Sequence, residues 1–157
     1  MKLKTIIICF SILLFCKQSV KAQQDTEEDR IKEVISLFFK GLQNGDTLTI
    51  KQTISTNLLI QTASINKNGK SMLVTEDVSE FLNLVSSKKP EDIWEEKLVS
   101  YYIQIDGIMA NVWTPYEFWL DGKFLHCGVN SFQLFKDSGT WKIIYLIDTR
   151  RKETCHK

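Results

Sequence analysis

The C-terminal part of this 157-residue chain contains three turn dipeptides, Asp106-Gly107, Asp121-Gly122 and Ser138-Gly139. The segments between them are rich in aromatic and β-branched residues. Such dipeptides favour two-residue hairpin turns, and the intervening segments have the composition of strands. This part of the chain therefore predicts an antiparallel meander of four strands, at about residues 93–105, 108–120, 123–135 and 141–150.

The N-terminal part of the chain shows a helical pattern. Apolar residues recur with a 3.6-residue period and would form one face of a first helix: Ile31, Val34, Ile35, Phe38, Phe39 and Leu42. Asp25 followed by Glu28 predicts a capping box at the start of this helix, and Asn44-Gly45 predicts its end.

Three shorter elements are predicted between this helix and the meander. Asp46 caps a second helix that runs to about Thr53, and a strand begins near Leu58 and enters an Asn-Gly turn. Thr75 caps a third helix, which ends before Pro90. Helices followed by a long antiparallel sheet are typical of an α+β domain.

The first 22 residues have the pattern of a signal peptide. Lys2 and Lys4 precede an apolar run, "TIIICFSILLFC", that is short for a membrane anchor. The "VKA" that ends at Ala22 resembles a signal-peptidase site, so we expect cleavage before Gln23. Residues 23–157 would then form a single domain that is periplasmic or secreted, with no membrane contact after cleavage. The alternative is a lipoprotein modified at Cys16.

The charge of the mature chain argues against a nucleic-acid partner. Cleavage removes four of the 20 basic residues and none of the 19 acidic ones, so the formal charge is 16 − 19 = −3. Nucleic-acid-binding domains present a basic face. The sequence also has no Gly-rich phosphate loop, no serine elbow and no metalloprotease helix, so we expect no cofactor.

The order of the elements, together with "GKFLHCGVNSFQL" and "GTWKIIYLIDTRRKE", resembles the nuclear transport factor 2-like superfamily, in particular its secreted lumazine-binding or SnoaL-like branch. The resemblance covers nearly the whole mature chain. It implies a cone-shaped α+β fold of the cystatin-like type, with three helices on a strongly curved antiparallel sheet around a cavity. Other branches of the superfamily include ketosteroid isomerases, scytalone dehydratases and polyketide cyclases, so the fold alone is a weak guide to chemistry.

The two later turns predict a register for the sheet. With two-residue turns, Glu117 lies opposite His126, Pro115 opposite Gly128 and His126 opposite Arg151. One face would then carry mostly large apolar side chains with a few polar groups, as a ligand pocket requires. Its members are Met109, Asn111, Trp113, Glu117, Trp119, Phe124, His126, Asn130, Phe132, Leu134, Trp141, Ile143, Tyr145 and Ile147.

This register places an acid/base pair, His126 with Glu117, in the pocket, because a carboxylate beside an imidazole raises the pKa of the imidazole. Tyr116, Asn130 and Asp148 are weaker candidates. The alternative is that Glu117, His126 and Arg151 form a rim of exposed ion pairs without catalytic function. A β-bulge would shift the register by one residue and reverse the assignment. The predicted ligand-binding residues are Trp113, Asn111, Asn130, Trp119, Phe132, Tyr145 and Arg151.

The two cysteines of the mature chain, Cys127 and Cys155, each adjoin a histidine. A zinc site is disfavoured, because His126 and Cys127 point to opposite faces of a strand. A Cys127–Cys155 disulfide suits an exported protein, and the alternative is two free thiols. Gly128 opposite Pro115 predicts a bend in the sheet.

Three functions remain open on the sequence alone. The first is an exported domain that binds a small molecule in the cone cavity without turnover. The second is an isomerase, dehydratase or cyclase. The third is an interaction module, since members of the resembling superfamily dimerise through the outer sheet face, here predicted as Val112, Phe118, Leu125, Val129, Ile144 and Leu146.

Overall fold

A computed structural model describes residues 25–155 of the chain. The signal peptide and His156 therefore lie outside the described residues. The helices are α1 (Glu27–Asn44), α2 (Thr47–Thr53) and α3 (Val78–Ser86). The strands are β1 (Ile54–Ile65), β2 (Ser71–Glu76), β3 (Trp94–Leu98), β4 (Tyr102–Asp106), β5 (Met109–Leu120), β6 (Lys123–Asp137) and β7 (Thr140–Thr149).

All seven strands form one curved sheet against which the helices pack. Its order is β2-β1-β7-β6-β5-β3, and β4 also pairs with β5. The pair β1–β7 is parallel, and the other strand pairs are antiparallel. The α+β class and the packing of helices on a curved sheet are confirmed.

The hydrophobic core lies between the helices and the inner face of the sheet, which is the face that α1 covers. Ile31, Ile35, Phe38 and Phe39 of α1 are buried there, and the Phe132 ring packs edge-on against both phenylalanine rings. These are residues of the apolar stripe predicted for α1. The amphipathic pattern therefore identified the buried face of this helix correctly.

The predicted helix ends are partly correct. Gly45 ends α1 in the left-handed conformation, and the Asp46 carboxylate caps α2 by accepting from the Leu48 and Thr49 amides. The capping box of α1 is formed by Thr26 and Asp29, so its prediction at Asp25 and Glu28 was wrong by one residue. A threonine hydroxyl followed three residues later by an aspartate satisfies the same amides.

The start of α3 and the first predicted strand of the meander require corrections. Asp77 caps α3, and Thr75 instead belongs to β2, a strand that the sequence analysis did not predict. The predicted strand 93–105 is divided into β3 and β4, which pair with different parts of β5. Leu98 pairs with Tyr116 and Tyr102 with Trp113, so the connecting segment has one residue more than β5, and this extra residue interrupts the pairing.

A β-bulge changes the predicted register between β5 and β6. The pairs Leu120–Lys123 and Trp119–Phe124 follow the turn, but Leu125 is then an extra residue and Phe118 pairs with His126. Glu117 consequently lies opposite Cys127, Pro115 opposite Val129 and Tyr116 opposite Gly128. The predicted pairs Glu117–His126 and Pro115–Gly128 are wrong, since a one-residue insertion shifts every later pair.

A second bulge affects β6 and β7. Leu134 pairs with Ile143, as a two-residue turn at Ser138-Gly139 requires, but Ile144 is extra, so that Phe132 pairs with Leu146. Arg151 lies opposite Cys127, and the predicted pair His126–Arg151 is wrong. Beyond this bulge Leu146 and Asp148, rather than Tyr145 and Ile147, are buried on the inner face.

The predicted composition of the outer face was also wrong for four of its six residues. Val112 is fully buried in the core, whereas Phe118, Leu125 and Leu146 border the cavity described below. Four large side chains of β4, β5 and β6 share the outer face and are exposed: Tyr102, Met109, Trp113 and Phe135. The alternation along β5 is therefore the reverse of the predicted one.

Candidate functional site

A cavity of about 610 Å³ lies between α1, α3 and the inner face of the sheet. Its size is within the range of small-molecule sites in proteins. Aromatic and aliphatic side chains form most of its wall: Phe38, Phe39, Phe81, Trp94, Phe118 and Leu125. The bulge in β6 contributes to this wall, because two successive residues, Leu125 and His126, both border the cavity.

Asp148 of β7 is the centre of a polar cluster at the cavity wall. Its carboxylate accepts hydrogen bonds from Thr62 Oγ1 (2.5 Å), Tyr116 OH (3.1 Å) and Arg150 Nε (2.8 Å). The Arg150 guanidinium also donates to Thr62 Oγ1 at 3.2 Å. These donors offset the cost of burying the carboxylate, and they hold Asp148 and Arg150 together as an ion pair.

Glu96 of β3 is the second carboxylate in the cavity. Asn130 Nδ2 donates to its Oε1 at 2.6 Å, and among residues 25–155 no donor is bonded to its Oε2. Protein atoms enclose the side chain, which nevertheless contacts solvent through the cavity that it borders. Burial raises the pKa of Glu96 to about 7, and the negative charge of Asp148 adds to this increase, while the Asn130 bond opposes it.

Tyr116 connects the cluster to the end of β7. Its hydroxyl lies 3.0 Å from the Thr149 carbonyl oxygen as well as 3.1 Å from Asp148. Burial raises the pKa of this phenol, and the charges of Asp148 and Glu96 raise it further. Tyr116 therefore remains a neutral hydrogen-bond donor at physiological pH.

His126 borders the cavity between two aromatic rings. It stacks on Phe118 at 5.2 Å and meets Tyr116 edge-on at 5.8 Å, measured between ring centroids. Burial lowers the pKa of the imidazole, and the positive charge of Arg150 lowers it further. The ring is consequently neutral near pH 7.

The predicted acid/base partners are on opposite faces of the sheet. Glu117 accepts a hydrogen bond from Trp119 Nε1 at 3.0 Å and does not border the cavity, whereas His126 does. The bulge at Leu125 is the physical reason, because it brings Phe118 rather than Glu117 opposite the imidazole. The predicted acid/base pair of His126 with Glu117 is therefore wrong.

The predicted ligand-binding residues are also dispersed. Asn130 borders the cavity, and Phe132 is buried beneath it in the core. Trp113 is 48% exposed on the outer face, where Asn111 contacts Gln104. None of the remaining three borders the cavity: Trp119, which lies under the Lys97 ammonium; Tyr145, which donates to Gln61; and Arg151, which is exposed.

The weaker candidates of the sequence analysis, Tyr116, Asn130 and Asp148, are the ones that the structure brings together. Glu96 and Arg150 were missed. A signal for Glu96 does exist, since it alternates with Trp94 and Leu98 in β3. A carboxylate between two apolar residues on the same face of a strand indicates an acid that faces the interior.

Gly128 allows the close approach on which the cluster depends. A Cβ atom at this position would lie 1.7 Å from the Thr149 carbonyl oxygen and 2.8 Å from Tyr116 Cε1. Gly128 thus serves packing against β7 and Tyr116. Next to it, the Cys127–Cys155 disulfide joins β6 to the C-terminal segment, with a Cα–Cα distance of 5.7 Å.

Within residues 25–155, no cluster of three or more His, Cys, Asp or Glu side chains could hold a metal ion. In the same part of the chain, no helix has the length and apolar character needed to cross a membrane.

No protein-family model matches the sequence, and no curated protein matches it. Solved structures do match. A protein from Cytophaga hutchinsonii, described as nuclear transport factor 2-like, superposes with a TM-score of 0.64 at 17% identity, covering 81% of this chain and all of the other. The chain has the nuclear transport factor 2-like fold.

Two further solved structures with this fold are proteins of different kinds. A candidate ketosteroid isomerase from Shewanella frigidimarina matches with a TM-score of 0.55 at 19% identity, over 76% of this chain and 94% of the other. The association domain of C. elegans CaMKII matches with a TM-score of 0.57 at 15% identity, over 77% and 93%. The nuclear transport factor 2-like fold is thus common to proteins with different roles, and the cavity must carry the functional argument.

Proposed function

We propose that this nuclear transport factor 2-like domain binds a small, largely apolar molecule in the cavity between α1, α3 and the sheet. The observation that carries the proposal is the combination of a 610 Å³ cavity, an aromatic wall and a Glu96 oxygen to which no residue among 25–155 donates. Apolar walls provide affinity, and a few fixed polar groups orient the ligand.

A thermal-shift screen against a library of small metabolites tests this proposal. We expect at least one compound to raise the melting temperature, since a ligand at 100 times its Kd stabilises a protein by about 2.7 kcal/mol. Leu84→Trp should abolish the shift, because Leu84 borders the cavity and is 62% exposed, so that a larger side chain can fill the entrance without disturbing the core.

Leu48→Trp is the matched control, since Leu48 is 71% exposed on α2 and does not border the cavity. It should leave the shift unchanged. The proposal is contradicted if no compound stabilises the protein, or if a stabilising compound acts equally on the Leu84→Trp variant.

Acid/base catalysis is a second candidate function, and one observation favours it. The pKa of Glu96, raised to about 7, allows this carboxyl group to accept and return a proton near neutral pH. Tyr116 is a neutral donor in the same cavity. We propose Glu96, instead of His126 with Glu117, as the proton-transfer group of such an isomerase, dehydratase or cyclase.

Deuterium exchange into a panel of carbonyl compounds in D₂O, followed by NMR, tests whether the protein catalyses proton transfer next to a carbonyl group. Exchange next to the carbonyl should accelerate as pH rises through about 7, because the base is the ionised form of Glu96. Glu96→Gln should slow exchange by about 100-fold or more. Equal rates for the variant and the wild type would contradict the enzyme proposal.

We also propose that the domain is exported and belongs to the secreted lumazine-binding or SnoaL-like branch. The N-terminal pattern and the Cys127–Cys155 disulfide support export, since disulfides persist in oxidising compartments. Mass spectrometry of the protein from the native cell should find Gln23 as the first residue in a periplasmic or secreted fraction. A cytoplasmic chain that retains Met1 would contradict this.

We further propose a homodimer through the outer sheet face. Tyr102, Met109, Trp113 and Phe135 form an exposed apolar patch on this face, and a second copy would cover it. Gel filtration with light scattering should give a dimer at micromolar concentration and a monomer for Trp113→Lys, with Leu48→Lys as a dimeric control. A monomeric wild type would contradict the proposal.

A further inference from the structure

The charges around the cavity are predominantly negative. Four carboxylates border it, together with a single guanidinium: Glu76, Glu80, Glu96, Asp148 and Arg150. The imidazole of His126 adds no positive charge near pH 7, for the reasons given above. A ligand that enters the cavity therefore meets more negative than positive charge.

The one guanidinium is already used within the protein. Arg150 donates to the Asp148 carboxylate at 2.8 Å and to Thr62 Oγ1 at 3.2 Å, and Glu76 also acts on it electrostatically. A ligand anion would have to compete with Asp148 for this cation. It would also lie close to Glu96, so both effects disfavour an acidic ligand.

Three of the four carboxylates that border the cavity have no cationic partner within salt-bridge distance among residues 25–155: Glu76, Glu80 and Glu96. Glu80 lies exposed in the first turn of α3, at the entrance of the cavity. Glu96 lies deeper, and the only side chain among residues 25–155 that donates to its carboxylate is the neutral amide of Asn130. Its Oε2 can therefore accept a hydrogen bond from a ligand, and a charged donor would form the stronger bond.

The aromatic wall is suited to the same kind of ligand. Phe38, Phe81, Trp94, Tyr116 and Phe118 all border the cavity. Their rings bury an apolar body, and aromatic faces attract a cation within about 6 Å. An aromatic wall and an unpaired carboxylate together are the elements of a site for an organic ammonium ion.

We propose that the ligand of this cavity is an organic cation: a primary amine, protonated near neutral pH, on an aromatic or aliphatic body. The inference rests on the proposed binding function and names the chemical class of its ligand. The ammonium group donates to Glu96 Oε2, the apolar body packs against the rings of the cavity wall, and Glu80 attracts the cation at the entrance.

A series of three compounds with the same aromatic body and different charge tests the proposal. The probes are 2-(1-naphthyl)ethylamine, 2-(1-naphthyl)ethanol and 1-naphthylacetate, titrated calorimetrically into the disulfide-bonded protein at pH 7.5. We expect the amine to bind at least about tenfold more tightly than the alcohol, and the carboxylate to bind most weakly. In Glu96→Gln the ratio of amine to alcohol affinity should fall below about twofold.

Glu95→Gln provides the matched control. Glu95 neighbours Glu96 in β3, but its carboxylate lies 3.5 Å from the Lys97 ammonium, with which it forms an ion pair, and it does not border the cavity. It should preserve the preference for the amine. If the alcohol or the carboxylate binds as tightly as the amine, the cavity binds ligands but the inference about their charge is overturned. If none of the three binds, the proposed binding function fails and the inference fails with it.

Discussion

At the scale of single residues, Glu96 has an unusual environment for a carboxyl group. It is a carboxyl group in an aromatic cavity, and its side chain accepts from a neutral amide instead of a cation. The free energy of its ionised form is therefore higher in the folded than in the unfolded state, as the pKa of about 7 shows. Asp148, next to the last residue of β7, accepts from one cation and two hydroxyl groups and holds the cluster together.

Glu96→Gln should change how stability depends on pH. In the wild type the unfolded carboxyl, with its pKa near 4.5, ionises before the folded one, so that the folded state binds more protons between about pH 4.5 and 7. The free energy of unfolding should therefore decrease as pH rises through this window. The variant should lack that decrease and be more stable by about 1–2 kcal/mol at pH 8.

Urea unfolding of both proteins at pH 5 and pH 8 measures this difference. Glu95→Gln is again the control, and it should follow the wild type. Parallel stability curves for Glu96→Gln and the wild type would show that Glu96 ionises normally in the folded protein, and the argument for its role in proton transfer would be lost.

Gly128 tests how closely β6, β7 and Tyr116 must approach. Gly128→Ala should lower the free energy of unfolding by about 3 kcal/mol, because the new methyl group would overlap a backbone carbonyl oxygen that cannot move independently. Gly69→Ala is a useful comparison. The φ of 75° at this position is strained for alanine, but no atom lies within 4 Å of the added Cβ. The free energy of unfolding should therefore fall by only about 1–2 kcal/mol. Equal losses in chemical denaturation would contradict this explanation.

At the scale of elements, the sequence was informative about helices and turns but not about bulges. The amphipathic stripe of α1 and the two-residue turns at Asp121-Gly122 and Ser138-Gly139 lie where they were predicted, because their signals are local. The extra residues Leu125 and Ile144 have no such signal. A bulge depends on the curvature of the sheet, which is a property of several strands together.

The two bulges determined which predicted site residues lie together. Pairing was correct near each turn and shifted by one residue beyond each bulge, so that the predicted acid/base pair was separated and the polar cluster around Asp148 was not identified as the site. Glu96 was missed for a different reason: its partner Asn130 is distant in sequence, and β3 and β4 were treated as one strand.

The disulfide also acts at the scale of elements, because it joins β6 to the C-terminal segment. Its cysteines are 28 residues apart, and opening such a loop should lower the free energy of unfolding by about 2–4 kcal/mol. Cys155→Ser should show this loss in urea unfolding, and treatment of the wild type with dithiothreitol should reproduce it. An equal midpoint for oxidised and reduced protein would contradict a stabilising role.

At the scale of the whole molecule, function depends on a space that no single element defines. Helices α1 and α3 form one side of the cavity, and the bent sheet forms the other. The carboxylates at its wall come from β2 and α3, which are neighbours in the chain, and from β3 and β7. The fold class could be predicted from the order of elements, whereas the charge of the cavity required the structure.

An NMR titration of the ¹⁵N-labelled protein with 2-(1-naphthyl)ethylamine tests the central claim, that this cavity is a binding site, most directly. The account predicts saturable shifts confined to residues that border the cavity, including the backbone of Glu96 and Tyr116 and the side-chain amide of Asn130. Shifts centred on Trp113 and the outer face, or none up to the solubility limit of the amine, would contradict it.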